Sequence, residues 1–227
     1  MGIAERKVRE KLRRRNAIVD AAEKVFFSRG LENATMDEVA EKAELSKGTL
    51  YLYFKNKTDL FHAIVARALA MLYTSFKKTI AKEKKGIDKV IAIGRAYHEF
   101  YKKQPDYYGT LLHQEVYELD PNNPVENPNI VLCTEIGNKI FGLIRECVQV
   151  GIKDGTIRED LDPVKLPIIL WGHSSGVLHL LKSKGPFLEE KFACSAEEII
   201  EYSFQMVINY LEKKNDKQPI KTSRSKG

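Results

Sequence analysis

The residues with the clearest potential for recognition chemistry form one short segment, Ser46–Phe54, with the sequence SKGTLYLYF. Leu50 and Phe54 lie four residues apart, so they predict the buried face of a helix. The other side chains then face solvent, where two tyrosines and a leucine are unusual. Ammonium, hydroxyl and phenol groups on one exposed helix face suit the base edges and phosphates of duplex DNA. We therefore predict that this helix enters the major groove.

Gly48 lies in the first turn of this predicted helix. Glycine inside a helix costs about 1 kcal/mol relative to alanine. That cost is explained if another backbone, such as a nucleic acid strand, must approach closely. The alternative is that the tyrosines pack against the next helix and that Gly48 is merely tolerated.

The elements around this segment predict a helix-turn-helix. Apolar residues within 18–26 form the stripe of a first helix, and Gly30 stands where a left-handed stop is needed. Thr35 and Glu38 form a capping box that opens a short second helix. Only residues 44–45 separate this helix from the third, and two short helices joined so tightly cross steeply.

The rest of the chain is also predicted to be helical, because apolar residues recur at intervals of three and four without a strand-like alternation. We predict an all-α fold of about nine helices, with a three-helix helix-turn-helix domain followed by a helical domain for ligand binding and dimerisation. The predicted ranges are a DNA-binding domain at 1–56 with a basic N-terminal arm, a second domain at 57–213 and a basic, disordered tail at 214–227.

Helix breakers predict the later boundaries. The fourth helix starts near residue 57 and is long enough to connect the two domains. A basic break at 82–86 and Pro105 separate the next helices, and 120–128 is a loop. Residues 162–163 are an N-cap and a first-turn proline, and 195–198 is a second capping box that opens the last helix.

Further donors flank the predicted recognition helix. The arm carries three consecutive arginines, Thr35 lies beside the free amides of its helix start, and Lys57 lies at the positive end of the fourth helix. Lys55 and Lys57 alone are explained equally well by a solvated surface. The residues that we predict to contact DNA are Arg13, Arg14, Arg15, Thr35, Ser46, Lys47, Gly48, Thr49, Tyr51, Leu52, Tyr53, Lys55 and Lys57.

Residues 12–62 resemble the DNA-binding domain of TetR-family (TetR/AcrR-like) transcriptional repressors almost position by position. The resemblance implies operator contacts from Thr35, Lys47, Thr49, Tyr51, Tyr53 and Lys57, whereas Leu52 departs from the more polar or aromatic residue often found there. The matching positions are 17–22, Phe26, Gly30, 35–40, Ala43, 45–57 and Leu60.

Two broad apolar stripes near the C-terminus predict a homodimer. They exceed the width of one core-facing seam, and in the TetR family the last two long helices form a four-helix bundle between subunits. A two-fold dimer would place two recognition helices roughly 34–36 Å apart, or a multiple of this, and predicts a palindromic operator. The stripes comprise Leu166, Ile169, Leu170, Val177, Leu180 and Leu181, and then Ile199, Ile200, Phe204, Val207, Ile208 and Leu211.

Aromatic and polar residues on the middle helices predict a pocket for a small apolar or aromatic effector. Any one of them is explained at least as well as an ordinary core or surface residue. The predicted ligand-binding residues are Tyr97, His98, Tyr101, Tyr108, His113, Gln114, Tyr117, Asn138, Phe141, Trp171 and His173.

Composition narrows the class of protein. The chain has 227 residues and a net charge of +6, and no stretch approaches the roughly 18 apolar residues of a membrane helix, so we expect a cytoplasmic protein without a membrane partner. The three cysteines are odd in number and widely spaced, and we expect buried free thiols. The basic run 6–15 suits phosphates, membrane head groups or water.

Two alternative functions remain for comparison. An enzyme is disfavoured because the sequence has no nucleophile motif, phosphate loop or metal-ligand spacing, and we expect neither a metal nor a cofactor. A non-specific architectural DNA-binding protein would use the basic arm and tail, with affinity controlled almost wholly by salt. We favour a sequence-specific regulator because the exposed side chains of the recognition helix suit a defined site.

Overall fold

A computed structural model describes residues 2–114 and 127–212, apart from the side chains of Ile3 and Gln114. Within these ranges the chain forms nine α-helices and no strand, which confirms the all-α prediction. The helices are α1 (Ile3–Arg29), α2 (Met36–Lys42), α3 (Lys47–Tyr51), α4 (Lys57–Ile80), α5 (Gly86–Lys103), α6 (Pro105–Gln114), α7 (Pro128–Lys153), α8 (Lys165–Phe192) and α9 (Ala196–Leu211).

The predicted N-terminal arm is helical. Helix α1 begins at Ile3, so the basic residues before Ile18 are its first turns rather than a separate segment. The physical reason is local, since the segment contains neither glycine nor proline within the helix and is rich in arginine, lysine, glutamate and leucine. Glutamates at 5 and 10 each precede an arginine by four residues, which is a favourable helical spacing.

The predicted helix ends are mostly observed. Gly30 ends α1 with a φ of 77°, and Thr35 opens α2 through a reciprocal capping box. Ser195 opens α9 in the same way. Helix α8 starts two residues later than predicted, at Lys165, although the Asp162 carboxylate still accepts the backbone amides of the first turn at 2.8 and 3.2 Å.

The described residues form two compact units. The first contains the described residues within 2–75 and 99–140, and the second contains those within 76–98 and 141–212. Helices α4, α5 and α7 each contribute residues to both units. The functional boundary after residue 56 stays a prediction, and the predicted tail and most of the 120–128 loop lie outside the described residues.

The first unit contains the helix-turn-helix. Helix α1 packs against α2, and α2 packs against α3. Ile18, Ala22, Val39 and Leu50 are all buried. These apolar contacts, rather than helix propensity, stabilise elements as short as α3, because isolated helices of this length are unstable in water.

The second unit is built around α8 and α9, which pack against each other. Helix α5 approaches α9 closely at Gly94, where an added Cβ would lie 2.8 Å from Cε1 of Phe204. Arg95 donates two hydrogen bonds to Glu201 at 3.0 and 2.8 Å. Together these contacts fix the position of α5 on α9.

The expectation of three buried thiols is correct for two of them. Cys133 and Cys147 are buried, whereas Cys194 is exposed. Cys194 follows the left-handed residue Ala193, which ends α8, and precedes the N-cap of α9, so it lies in a turn rather than on a packed helix face. Burial raises the pKa of Cys133 to about 12 and that of Cys147 to about 11.

We predict that iodoacetamide at pH 8 modifies one thiol per native chain, at Cys194. A pKa of about 12 leaves only about one part in ten thousand of Cys133 as the reactive thiolate at that pH. Mass spectrometry of the native protein and of the urea-unfolded protein should give one and three adducts. The Cys194→Ser variant should give none while folded, and rapid modification of two native thiols would contradict the burial pattern.

Candidate nucleic-acid interface

The recognition segment is held by its own cap and by two buried side chains. The Ser46 hydroxyl accepts the backbone amide of Thr49 at 3.2 Å and lies 2.8 Å from the Thr49 hydroxyl. Leu50 lies inside α3, and Phe54 follows the helix, yet both are buried. The buried pair was therefore predicted correctly from the sequence, although Phe54 is not itself helical.

The opposite face of this segment is open to solvent. Lys47 and Gly48 are exposed, and the exposed fraction is 43% for Tyr51 and 82% for Leu52. Thr49 and Tyr53 are partly exposed. The Leu52 side chain adds nothing to the core, and beside Tyr51 it gives this exposed face an apolar part.

Gly48 has no structural reason to be glycine within the described chain. A Cβ built on it would meet no atom within 4 Å. Its backbone does not have a positive φ either. The residue thus forgoes helix stability without relieving any contact inside the protein, which is the situation expected if a partner approaches the backbone there.

The turn between α2 and α3 is tight and contains a strained residue. Glu44 has a φ of 56°, a left-handed conformation that non-glycine residues rarely adopt. The Leu45 amide donates to the Ala40 carbonyl at 2.9 Å, which closes the turn. Surrounding packing holds this conformation, and no glycine in the sequence signals it.

Lys47 is positioned from α2. Its ammonium lies 2.7 Å from the Asp37 carboxylate, with both side chains about 60% exposed. The hydrogen bond and charge of Asp37 raise the pKa of Lys47. Exposed ion pairs contribute little to stability, so the ammonium can exchange Asp37 for a nucleic acid acceptor at small cost.

Lys57 has a positioning role that the sequence did not reveal. Its ammonium donates to the carbonyls of Leu31 at 2.8 Å, Glu32 at 3.1 Å and Ala34 at 3.1 Å. These bonds use all three donors of a lysine. Lys57 thus holds the α1–α2 turn against the start of α4, and its direct contact with DNA, which would need one of these bonds to be released, stays a prediction.

Arg15 makes contacts inside the protein, and its predicted contact with DNA stays a prediction. Its guanidinium donates to the Asn129 side chain and lies 5.1 Å from the centre of the Phe54 ring. Burial lowers the pKa of Arg15, while the nearby Asp59 carboxylate opposes this shift. Arg15 is therefore engaged within the protein, and the other predicted donors Arg13, Arg14, Thr35 and Lys55 are exposed.

Asp59 and Asn129 complete the support of the recognition segment. One Asp59 oxygen accepts the backbone amide of Lys55 at 2.9 Å, and the other accepts the Asn129 side-chain amide at 2.6 Å. Asn56 caps α4 by accepting the Asp59 amide at 2.8 Å. The spacing of Asn56 and Asp59 is a capping-box signal that could have been read from the sequence, whereas the contact with Asn129 has no local signal.

The predicted ligand-binding residues do not form one cluster. Tyr97, His98 and His173 line a small cavity of the second unit, of about 30 Å³ and partly open to solvent, between α5, α8 and α9. Phe141 and Trp171 form an edge-to-face pair in the same unit. Three further predicted residues, Tyr101, Tyr108 and His113, belong to the first unit.

Three predicted ligand contacts stay predictions. Asn138 is exposed on α7 because that position lies on the outer face of the helix. Tyr117 lies outside the described residues, as does the side chain of Gln114. The cavity instead adds residues that the sequence did not single out as ligands, among them Ser174, Ser203 and Phe204.

Other kinds of site receive no support from the described residues. No three His, Cys, Asp or Glu side chains come together there in a way that could hold a metal ion. None of the helices in ranges 2–114 and 127–212 combines the length and apolarity needed to cross a bilayer.

Comparison with known proteins places the same segment in a known family. The sequence profile of the family described as bacterial regulatory proteins, tetR family, matches residues 18–64. This range includes α2, α3 and the first turns of α4.

Two relatives extend the match beyond this segment. The HTH-type transcriptional regulator TtgW of Pseudomonas putida, itself described as uncharacterized, is 32% identical over 90 residues, which are 40% of this chain and 67% of TtgW. The HTH-type transcriptional repressor KstR2 of Rhodococcus jostii is 24% identical over 149 residues, which are 66% of this chain and 70% of KstR2. A third relative is another HTH-type transcriptional regulator. For these three regulators, the aligned residues make up 62% to 70% of the regulator's own length.

A solved structure supports the whole fold. AibR, crystallised in complex with isovaleryl coenzyme A and operator DNA, superposes with a TM-score of 0.64 at 18% identity, over 85% of this chain and 97% of AibR. Together with the matching helix-turn-helix and the identity to TtgW, this fold shows that the chain is a member of the TetR family of bacterial transcriptional regulators.

Proposed function

We propose that this protein is a sequence-specific repressor that binds a palindromic operator as a homodimer and leaves it when a small apolar ligand binds. The observation that carries the proposal is the exposed face of α3, where Tyr51 and Leu52 face solvent beside a glycine that nothing in the described chain requires. Among similar proteins, KstR2 is described as a repressor, and AibR was crystallised with operator DNA.

The side chains of this face divide between two kinds of contact. Lys47 can donate to guanine acceptors, and the Leu52 side chain can contact thymine methyl groups. Tyr51 and Tyr53 suit phosphates or methyl groups, and Arg13 and Arg14 suit phosphates. Base contacts would set the operator sequence, whereas phosphate contacts would fix the register of the protein on the duplex.

The exposed apolar side chains of α8 and α9 support the homodimer. Large residues of this kind are unfavourable in water, and burying each one stabilises a complex by roughly 1.5–3 kcal/mol before the costs of association. A two-fold interface buries the same set from each subunit. The set comprises Ile168, Ile169, Trp171, Tyr202, Met206 and Tyr210.

The cavity of the second unit is the proposed effector site. Val177, Ile200 and Phe204 give it apolar walls, and His173 brings a buried Nε2 that has no hydrogen-bond partner in the described part of the chain. A compact apolar molecule with one hydrogen-bonding group fits this lining. AibR and its isovaleryl coenzyme A show that a similar fold takes a ligand of mixed character.

The proposed effector site and the proposed dimer surface share α8 and α9. A ligand that separates α5 from these helices would alter the dimer surface and hence the spacing of the recognition helices. If the ligand-free spacing of the recognition helices binds the operator more tightly than the ligand-bound spacing, the ligand releases DNA. By linkage, bound DNA then weakens ligand binding by the same factor. We infer a cytoplasmic regulator with no catalytic role.

The first test is selection of bound duplexes from a random DNA pool. The wild-type chain should enrich a palindrome, and Tyr51→Ala should relax or abolish the consensus because it removes an exposed recognition side chain. Tyr73→Ala, on α4 outside the helix-turn-helix, is the control and should select the wild-type sequence. Binding that only fades with salt, with no consensus, would instead support the architectural alternative.

Gly48→Ala should stabilise the free protein and weaken operator binding. The added methyl group meets open space, so the free energy of unfolding should rise by up to about 1 kcal/mol, while affinity should fall roughly tenfold or more through a clash with DNA. Urea unfolding and fluorescence anisotropy measure the two effects. Gly142→Ala, at another open helical position, is the control and should raise stability without changing operator affinity. If Gly48→Ala binds the operator as tightly as wild type, Gly48 is merely tolerated.

Lys57→Met should destabilise the DNA-free protein by about 1–3 kcal/mol, because three carbonyls lose a charged donor. Lys55→Met replaces an exposed lysine nearby in the sequence, and it should leave stability unchanged and weaken DNA binding. Urea unfolding of the two free variants measures the difference. Wild-type stability of Lys57→Met with reduced affinity would return Lys57 to the direct DNA contacts.

A further inference from the structure

The first turns of α1 carry an exposed basic surface that continues beyond Arg13 and Arg14, the two α1 residues already proposed to contact phosphates. Every side chain from Ala4 to Arg14 is exposed, and continuous core burial begins only at Ile18. Six of these eleven exposed residues are cations and two are anions. We call Ile3–Arg14 the α1 extension. Its residues contribute almost nothing to the apolar core, so folding alone does not explain their composition.

The cations of the α1 extension form a row that leads away from the recognition segment. Lys7, Lys11 and Arg15 recur every four residues, which places them on one face about 6 Å apart along the helix. Arg15 ends this row over the ring of Phe54, the last residue of the recognition segment. The row therefore leads from the buried end of the recognition segment outward along the exposed part of α1.

The same spacing is unfavourable for the isolated helix. Lys7 with Lys11, and Arg9 with Arg13, are like-charge pairs at i and i+4, which destabilise a helix in water. A polyanion beside the helix removes this repulsion and releases counterions. The pairs of Glu5 with Arg9 and Glu10 with Arg14 stabilise the free helix, whereas the like-charge pairs gain from an anionic partner.

Duplex DNA fits this surface better than a membrane does. A membrane-surface helix needs a wide apolar face, whereas the only large apolar side chains described within the extension are Val8 and Leu12. The extension is also continuous with the part of α1 that packs on α2, and α2 packs on the recognition helix. Binding of α3 in the major groove would bring the extension to the same duplex.

We propose that the part of the α1 extension before Arg13 is a second DNA-binding element that contacts backbone phosphates beside each half-site, through Lys7, Arg9 and Lys11. This inference rests on the proposed function for its location. Because phosphates are present in every sequence, the extension adds affinity and salt dependence without adding base preference. It also lengthens the segment of duplex that each protomer covers.

The test compares two triple variants of the full chain. Lys7→Gln/Arg9→Gln/Lys11→Gln removes three cations from the extension and keeps Arg13 and Arg14, which belong to the proposed operator contacts, and glutamine preserves helix propensity. Lys82→Gln/Lys84→Gln/Lys85→Gln changes net charge equally at three exposed lysines of the α4–α5 turn. Fluorescence anisotropy measures binding to the selected operator duplex and to a scrambled duplex of equal length between 50 and 200 mM salt, a range in which phosphate contacts dominate salt dependence.

The extension variant should bind both duplexes roughly tenfold or more weakly, and the slope of log K against log salt should fall by about 0.9 for each phosphate that the variant no longer neutralises. Its ratio of operator to scrambled affinity should stay at the wild-type value, and the control variant should match wild type throughout. Unchanged slopes on both duplexes would overturn the proposal. The proposal would also be overturned if the extension variant bound DNA like wild type but no longer sedimented with phosphatidylserine vesicles. That result would show that the extension binds a membrane.

The two proposals fail in different ways. If wild-type protein binds the selected and scrambled duplexes equally, sequence-specific repression is wrong, yet the slope on the scrambled duplex still decides the role of the extension. If the operator preference is strong and the extension variant has the wild-type slope, only the role proposed for the extension is wrong.

Discussion

A buried carboxylate determines where the recognition helix can lie. Asp59 is 6% exposed. Its carboxylate accepts a hydrogen bond from the backbone that follows α3 and another from the Asn129 side chain at the start of α7. Asn129 in turn accepts a hydrogen bond from Arg15 of α1. Loss of one partner of a buried charge costs about 3–5 kcal/mol, so these contacts form or break together. Three helices are thereby tied to one turn, and that turn fixes the end of the recognition segment.

Positioning and recognition are divided between different residues. Helix α3 has five residues and cannot be stable alone, so it depends on Leu50, Phe54 and the polar contacts behind them. Lys57 and Arg15, two cations that suit DNA by charge, also make hydrogen bonds inside the protein. This division leaves the exposed face of α3 without a structural role, and its residue types can then be chosen for the duplex.

A second polar network joins α1, α4 and α6 within the same unit. Arg67 donates to Asp20 at 2.6 Å and to Glu23 at 2.9 Å, and Glu23 also interacts with Tyr107. Burial raises the pKa of Glu23, while hydrogen bonds from Tyr107 and the charge of Arg67 oppose this. Helix α6 thus reaches α1 through polar contacts, which are directional and give the first unit a defined arrangement.

Local spacing along the chain was sufficient to predict features that depend on neighbours three or four residues apart. The helical class, the caps at Thr35 and Ser195, the stop at Gly30 and the exposed recognition face all follow from such spacing, and the structure has each of them. Contacts between distant residues required the packed structure. The partners of Arg15 and Lys57, the exposure of Asn138 and the cavity of the second unit depend on how helices pack, because a contact such as Arg15 with Asn129 joins residues 114 positions apart and leaves no periodic trace in the sequence.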